Sequence, residues 1–296
     1  MPALVKRLAK RELISPPEYV VAQTQYEVMM GSVAYGVSNN TSDIDIYGFC
    51  VPNKETIFPH LAGEILGFGR QKQRFEQYQQ HHIKDPSNDK EYDVTIYNIV
   101  KYFSLCMENN PNMIDSLFVP QRCVLHCTQV GNLVRENRKL FLHKGSWHKY
   151  KGYAYSQLHK MRIKEPEGKR KEMVDKYGYD LKFAYHVVRL LSQVEQIMIE
   201  HDLDLERNRE QLKSIRRGEW TMEKIEEWAE QKERALEDVY TKSDLRHSPD
   251  EAAIKELLLN CLELHFGSLD KAIVRENQFD RLVSDLKELV GKYANA

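Results

Sequence analysis

Apolar positions in this chain follow two periods, and the change between them divides it. Up to about residue 130 the pattern mixes short strand-like runs with helical spacing. Beyond that point the 3.6-residue period of helices dominates. Tyr26 to Met30 is an apolar and aromatic run that ends at Gly31, as a strand entering a turn does. Asp43 to Val51 alternates polar and apolar residues and stops at Pro52, the pattern of a second strand. Tyr92 to Tyr97, rich in β-branched and aromatic residues, reads as a third strand, and Cys123 to His126 as a short one that closes the sheet. Helical spacing begins at Ile99, and Pro111 opens a helix after the Asn109-Asn110 cap. Further helices are expected at about 147–163, 178–201, 207–217, 221–240, 249–266 and 275–292. Thr221 and Ser248-Pro249-Asp250-Glu251 stand at the starts of two of them. The polar, glutamine-rich stretch 66–90 reads as a long loop, and so does Lys169-Arg170-Lys171, which follows Pro166 and Gly168. The pattern predicts an α+β protein: a small mixed sheet flanked by helices over residues 1–140, then a mostly helical domain over 141–296.

Composition changes this picture little. The 296 residues are 42% hydrophobic and 29% charged, with a formal net charge of −1, so any contact with nucleic acid has to come from a local basic patch. No apolar run approaches the roughly 20 residues of a membrane span, and the basic amino terminus has no apolar segment behind it. The odd count of five cysteines fits free thiols in a reducing compartment, so a cytoplasmic location is expected.

The candidate chemistry lies in the turn and in the strand that follows it. Residues two apart on a strand face the same way, so Asp43 and Asp45 project side by side while Ile44 and Ile46 turn to the opposite, buried side. Two such carboxylates repel unless a cation sits between them, and hard oxygen ligands suit Mg²⁺, with Mn²⁺ as the alternative ion. A third carboxylate would come from a neighbouring strand, where Asp93 is the natural candidate and Glu91 points to the same face if the strand begins that early. Asp-x-Asp alone is most often a solvated strand edge. Gly31-Ser32, about a dozen residues upstream, makes the combination specific, because a small residue lets phosphate approach the backbone closely.

Gly31-Ser32 followed by Ser42-Asp43-Ile44-Asp45 resembles the signature of the DNA polymerase β-type nucleotidyltransferases. Gly31-Ser32-x-Ala34-Tyr35-Gly36 with Asp43-x-Asp45-x-x-Gly48 is similar, more narrowly, to the RNA-repair-pathway (RlaP-like) group. That similarity continues through Asn110-Pro111-Asn112, residues 177–191 and Ile215 to Glu219, but has no counterpart for the stretch 66–90. The resemblance implies that Gly31 and Ser32 hold a nucleoside triphosphate, that Asp43 and Asp45 bind metal, and that Asp93 completes the metal set and helps deprotonate an acceptor hydroxyl. The implied reaction transfers a nucleoside monophosphate, to an RNA end in the first instance, and releases pyrophosphate. The competing readings are the same chemistry on a protein or small-molecule acceptor, and a nucleotide- or RNA-binding protein without activity.

Twelve Lys/Arg against five Asp/Glu between Lys144 and Arg189 make a local basic region. Within it Lys182, His186 and Arg189 fall at i, i+4 and i+7 on one helical face. They are expected to meet the nucleotide's phosphates, the alternative being a solvated helix face. Tyr150, Tyr153 and Tyr155 lie among basic residues and could stack bases, although core packing is the commoner use. Cys123, His126 and Cys127 lack the second ligand pair of a zinc site, and His81-His82 is expected to be exposed with no partner motif.

Overall fold

The computed structural model describes residues 2–38, 43–65, 67–69, 73–88, 90–163, 168–267 and 286. The first part runs α1 (Leu4–Lys10), α2 (Glu18–Gln23), β1 (Thr24–Met29), α3 (Gly31–Ala34), β2 (Ile44–Cys50), α4 (Lys54–Ile57), β3 (Gln77–Asp85), β4 (Lys90–Asn98), α5 (Ile99–Met107), α6 (Pro111–Phe118), β5 (Val124–Cys127) and α7 (Gln129–Glu136). Among the described residues helices alone follow: α8 (Gly145–Ile163), α9 (Lys169–Tyr177), α10 (Leu181–Glu200), α11 (Arg209–Arg216), α12 (Met222–Lys242) and α13 (Glu251–Phe266). The protein is thus α+β, with a mixed five-stranded sheet in the order β3-β4-β2-β1-β5. β2 and β4 run parallel at its centre, and the other neighbours pair antiparallel.

Local chemistry explains the helix starts. The Asn110 side chain accepts the N–H groups of Asn112 and Met113, with Pro111 at the first helical position. Asp180 does the same for Lys182 and Phe183 at the head of α10, Thr221 for Lys224 in α12 and Asp250 for Ala253 in α13. The sheet divides two cores. On β2, Ile46 and Cys50 join Leu4, Val5, Leu8, Val94 and Ile96 in the smaller one. Phe49 faces the other way, into a core that runs without a break from Tyr26 through the central pair α8 and α10 to Leu262. Glu27 of β1, wholly buried, accepts the N–H groups of Leu4 and Val5 and so fastens α1 to the sheet.

Three expectations need correction or qualification. The stretch 66–90 contains an edge strand, β3, where a long loop was expected. Its backbone pairs with β4, and that pairing supplies the order its glutamines and histidines have little tendency to impose. Lys169-Arg170-Lys171 opens α9 instead of forming a loop; Arg170 is anchored to Asp180 at 3.2 Å and lies over the Phe183 ring. Asp43 stands immediately before β2, which begins at Ile44. The expected turn residues Asn39, Asn40 and Ser42, and all but one residue of the helix expected at 275–292, lie outside the described residues.

Candidate active site

The parallel pairing of β2 with β4 sets Asp45 directly beside Asp93. Partners on adjacent strands sit about 4.8 Å apart and present their side chains on the same face. Asp43, exposed at the mouth of β2, lies close enough to act on Asp45 electrostatically. Burial and the like charges of Asp93 and Asp43 push Asp45 above the ordinary aspartate range, against the opposing pull of Lys182 and His81. Asp45 and Asp93 therefore stand side by side, with Asp43 near enough to act on Asp45.

Gly31 closes the site from below. It takes φ +62°, and a Cβ built on it would overlap the Asp45 carboxylate. Met30 N–H donates to the Asp45 carbonyl at 2.7 Å, which ties the turn to β2. Both backbone conformation and space thus require glycine here. Gly31→Ala is expected to displace Asp45 and to cut turnover by at least about tenfold, since left-handed strain alone costs roughly 1–2 kcal/mol for an L-residue. Steady-state kinetics beside a thermal melt checks this, and unchanged turnover would show that the contact is not needed.

The stretch for which no motif existed reaches the third carboxylate. The ladder between β3 and β4 shifts register between Gln80 and Ile83, and His82 takes φ +55° within that irregularity. The His82 backbone N–H donates to Asp93 Oδ1 at 2.8 Å, and His81 Nδ1 lies 3.2 Å from Asp93 Oδ2. Glu91 is engaged by the His82 ring at 2.5 Å, which raises the His82 pKa. Both histidines are exposed, as expected, but they have partners. Asp93, in register with Asp45, is the better placed of the two candidates for the third carboxylate; Glu91 lies one step further along the same face.

The cationic stripe on α10 divides. Lys182 is exposed and acts on Asp45. His186 is half-buried; burial and the cations Arg189, Lys182, Arg170 and Arg216 drive its pKa well down, so it is a neutral imidazole inside a positively charged cluster. Arg189 is only 5% exposed and does not lie on the open face where a phosphate contact was expected. Its guanidinium pairs with the wholly buried Asp115 of α6 and donates to the Tyr35 hydroxyl at 2.7 Å and to Gln193 at 3.1 Å. The i, i+4, i+7 face runs from the open Lys182 to the buried Arg189, because the middle of α10 is enclosed by its neighbours while its first turn reaches the surface.

This buried group supports the turn from behind. Tyr35, four residues after Gly31, donates its hydroxyl proton to Asp115 at 2.6 Å. Arg216 of α11 donates to the Val37 carbonyl at 2.5 Å, and Arg122 donates to the Val33 carbonyl at 3.1 Å. The Gly-Ser segment is thus held by side chains distant in sequence. None of them carries a local signal, and Arg189 was visible only as a charge in the wrong setting.

Carboxylate oxygens are the donors a hard divalent cation takes, and the charges of Asp93 and Asp43 raise the cost of ionising Asp45. Among the described residues no three His, Cys, Asp or Glu side chains already converge at ligating distance. Asp93 is turned toward the β3 histidines in this arrangement. Of the three tyrosines on α8, Tyr150 is buried, Tyr155 donates to Glu233, and Tyr153 alone acts on Tyr47 and Tyr97 of the sheet face. Among the described residues no helix is long and apolar enough to cross a membrane.

Residues 6–260 match the family described as RlaP, RNA repair pathway DNA polymerase beta family. A search of curated proteins returns no match.

Proposed function

The chain belongs to the RNA repair pathway DNA polymerase β family, and from that membership we propose that it is a metal-dependent nucleotidyltransferase that moves a nucleoside monophosphate from an NTP onto a hydroxyl at an RNA end. The observation that carries this reading is the in-register pair Asp45 and Asp93, with Gly31 directly beneath Asp45. A divalent cation, Mg²⁺ or Mn²⁺, bound at Asp43, Asp45 and Asp93 would supply Lewis-acid stabilisation of the charge on the phosphates.

The chain's own residues do the rest. The bare backbone at Gly31 and the Ser32 hydroxyl form the surface on which the triphosphate lies beside the carboxylates. Lys182, exposed beside Asp45, offsets the charge of the β and γ phosphates. Asp93 accepts the proton of the acceptor hydroxyl as its oxygen bonds to the α-phosphorus. The bond from the α-phosphorus to the bridging oxygen breaks, and that oxygen leaves with pyrophosphate. Arg189 acts indirectly, by holding Tyr35 and with it the turn.

The test is incubation with each α-³²P-labelled NTP and Mg²⁺, in the presence of separate RNA and protein pools. Label is expected on RNA, lost with EDTA and lost in Asp43→Asn. Label on protein would move the same chemistry to another acceptor. Metal-independent NTP binding with no transfer would make the protein a nucleotide binder instead.

A further inference from the structure

The exposed face of β3 carries a feature that the transfer chemistry leaves unused. Gln77, Gln79 and His81 point the same way along this edge strand, on the side that also holds Asp93, Asp45 and Tyr97. Gln77 Nε2 donates to Gln79 Oε1 at 3.1 Å, and Gln79 Nε2 lies 2.8 Å from His81 Nε2. His81 Nδ1 then reaches Asp93 at 3.2 Å. With the imidazole proton on Nδ1, the row is a directed chain of donors that ends on the third carboxylate. All three side chains are exposed, on a strand with little apolar character.

Beyond Gln77 the row opens into a surface hollow of about 870 Å³, lined in part by Arg74 and Lys101. Tyr97 flanks the row, Tyr47 stands next to it with ring centroids 6.3 Å apart, and Tyr153, 41% exposed, lies near enough to act on both electrostatically. The surface therefore combines a row of amide groups leading away from Asp93, aromatic residues alongside it and, at its far end, Arg74 beside the Lys101–Glu76 ion pair at 3.0 Å.

We propose that the Gln77–Gln79–His81 row, with Tyr97 and Tyr153 at its side and Arg74 at its end, is the acceptor subsite and takes the unpaired last nucleotides of a single-stranded RNA end. This rests on the nucleotidyltransferase reading, which needs an acceptor hydroxyl at Asp93 but leaves open the path to it. A carboxamide has two donor hydrogens and an acceptor oxygen with two lone pairs, so the bonds within the row use only part of its capacity. The remainder matches the edges of bases that have no pairing partner, as in recognition of unstacked RNA. Amides two residues apart stand roughly 6.6 Å from each other, and the row from His81 to Gln77 spans roughly 13 Å, room for a short stretch of chain. Tyrosine rings hold bases by stacking with little regard to sequence, and Arg74 at the far end meets a phosphate upstream. A duplex would bring base edges already paired, and the row would have nothing to bond.

The experiment measures binding of a fluorescein-labelled ten-nucleotide single-stranded RNA, the same strand as a blunt duplex, and an unstructured peptide, by anisotropy. The proteins are the parent, the double variant Gln77→Ala with Gln79→Ala, and Tyr153→Ala. Single-stranded RNA is expected to bind the parent best and each variant about tenfold more weakly. The affinity for a non-hydrolysable NTP should stay within about twofold, which separates loss of the subsite from loss of the fold. Unchanged RNA affinity in both variants, or a preference for duplex or peptide, overturns the subsite. Transfer of label to RNA ends with equal efficiency in parent and double variant also overturns it and leaves the transferase intact. RNA binding that depends on the row without any transfer sustains the subsite and removes the transferase reading.

Discussion

Asp45→Asn is expected to lower nucleotidyl transfer on the order of 10³-fold and to leave the fold as stable as before or more so. Loss of one carboxylate forfeits the several kcal/mol that a bound cation contributes to charge stabilisation, and each 1.4 kcal/mol is a factor of ten in rate. The stability arm follows from the repulsion already present. Burial and the charges on Asp93 and Asp43 raise the cost of ionising Asp45. An amide of the same shape removes that cost and keeps the fit over Gly31. The two arms move in opposite directions, which a core residue would not do. Single-turnover rates with saturating NTP and Mg²⁺, set beside urea midpoints, read both. Turnover within tenfold of the parent would remove Asp45 from the chemistry. A large drop in midpoint would make it a structural group.

Arg189→Met should cost about 3–5 kcal/mol of stability, the usual result when one partner of a buried pair is removed. The wholly buried Asp115 would keep Tyr35 and Gln193 as partners but lose its counter-charge. Burial already pushes Asp115 upward in pKa against the pull of Arg189, so without the guanidinium it would take up a proton. Adding Asp115→Leu should recover part of the loss, because two apolar groups leave no charge stranded. Chemical denaturation of both variants measures the difference, and a single-variant loss below about 1 kcal/mol would show that the pair does not bind the helical region to the turn. The same substitution should raise KM for NTP in protein that remains folded, since Tyr35 then loses one of its two anchors.

Residues close in sequence made much of the site readable. Gly31-Ser32 and Asp43-x-Asp45 lie within fifteen residues, and the strand period alone puts the two aspartates on one side. Asp93 was readable as the favoured candidate because a β-branched, aromatic strand carried it, with Glu91 as the alternative on the same face, and the parallel register with β2 sets Asp93 beside Asp45. β3 was not readable. Gln77, Gln79, His81 and His82 show neither apolar alternation nor β-branching, so nothing in their own chemistry announces a strand. Pairing with an already formed β4 creates it.

The sequence by itself determined the α+β division, most of the helices through their caps and spacing, and the turn-and-strand pair that carries the candidate chemistry. These are short-range properties, set by backbone preference and periodicity within a few residues. Tertiary structure alone decided which way α10 turns its cations. The i, i+4, i+7 rule gives a helix face but not the direction that face looks. Tertiary packing sent Arg189 to Asp115 in the core and left Lys182 in the open beside Asp45. It also brought His81 and His82 to Asp93 through a shift in ladder register, since a bulge depends on how two strands meet and is written in neither of them.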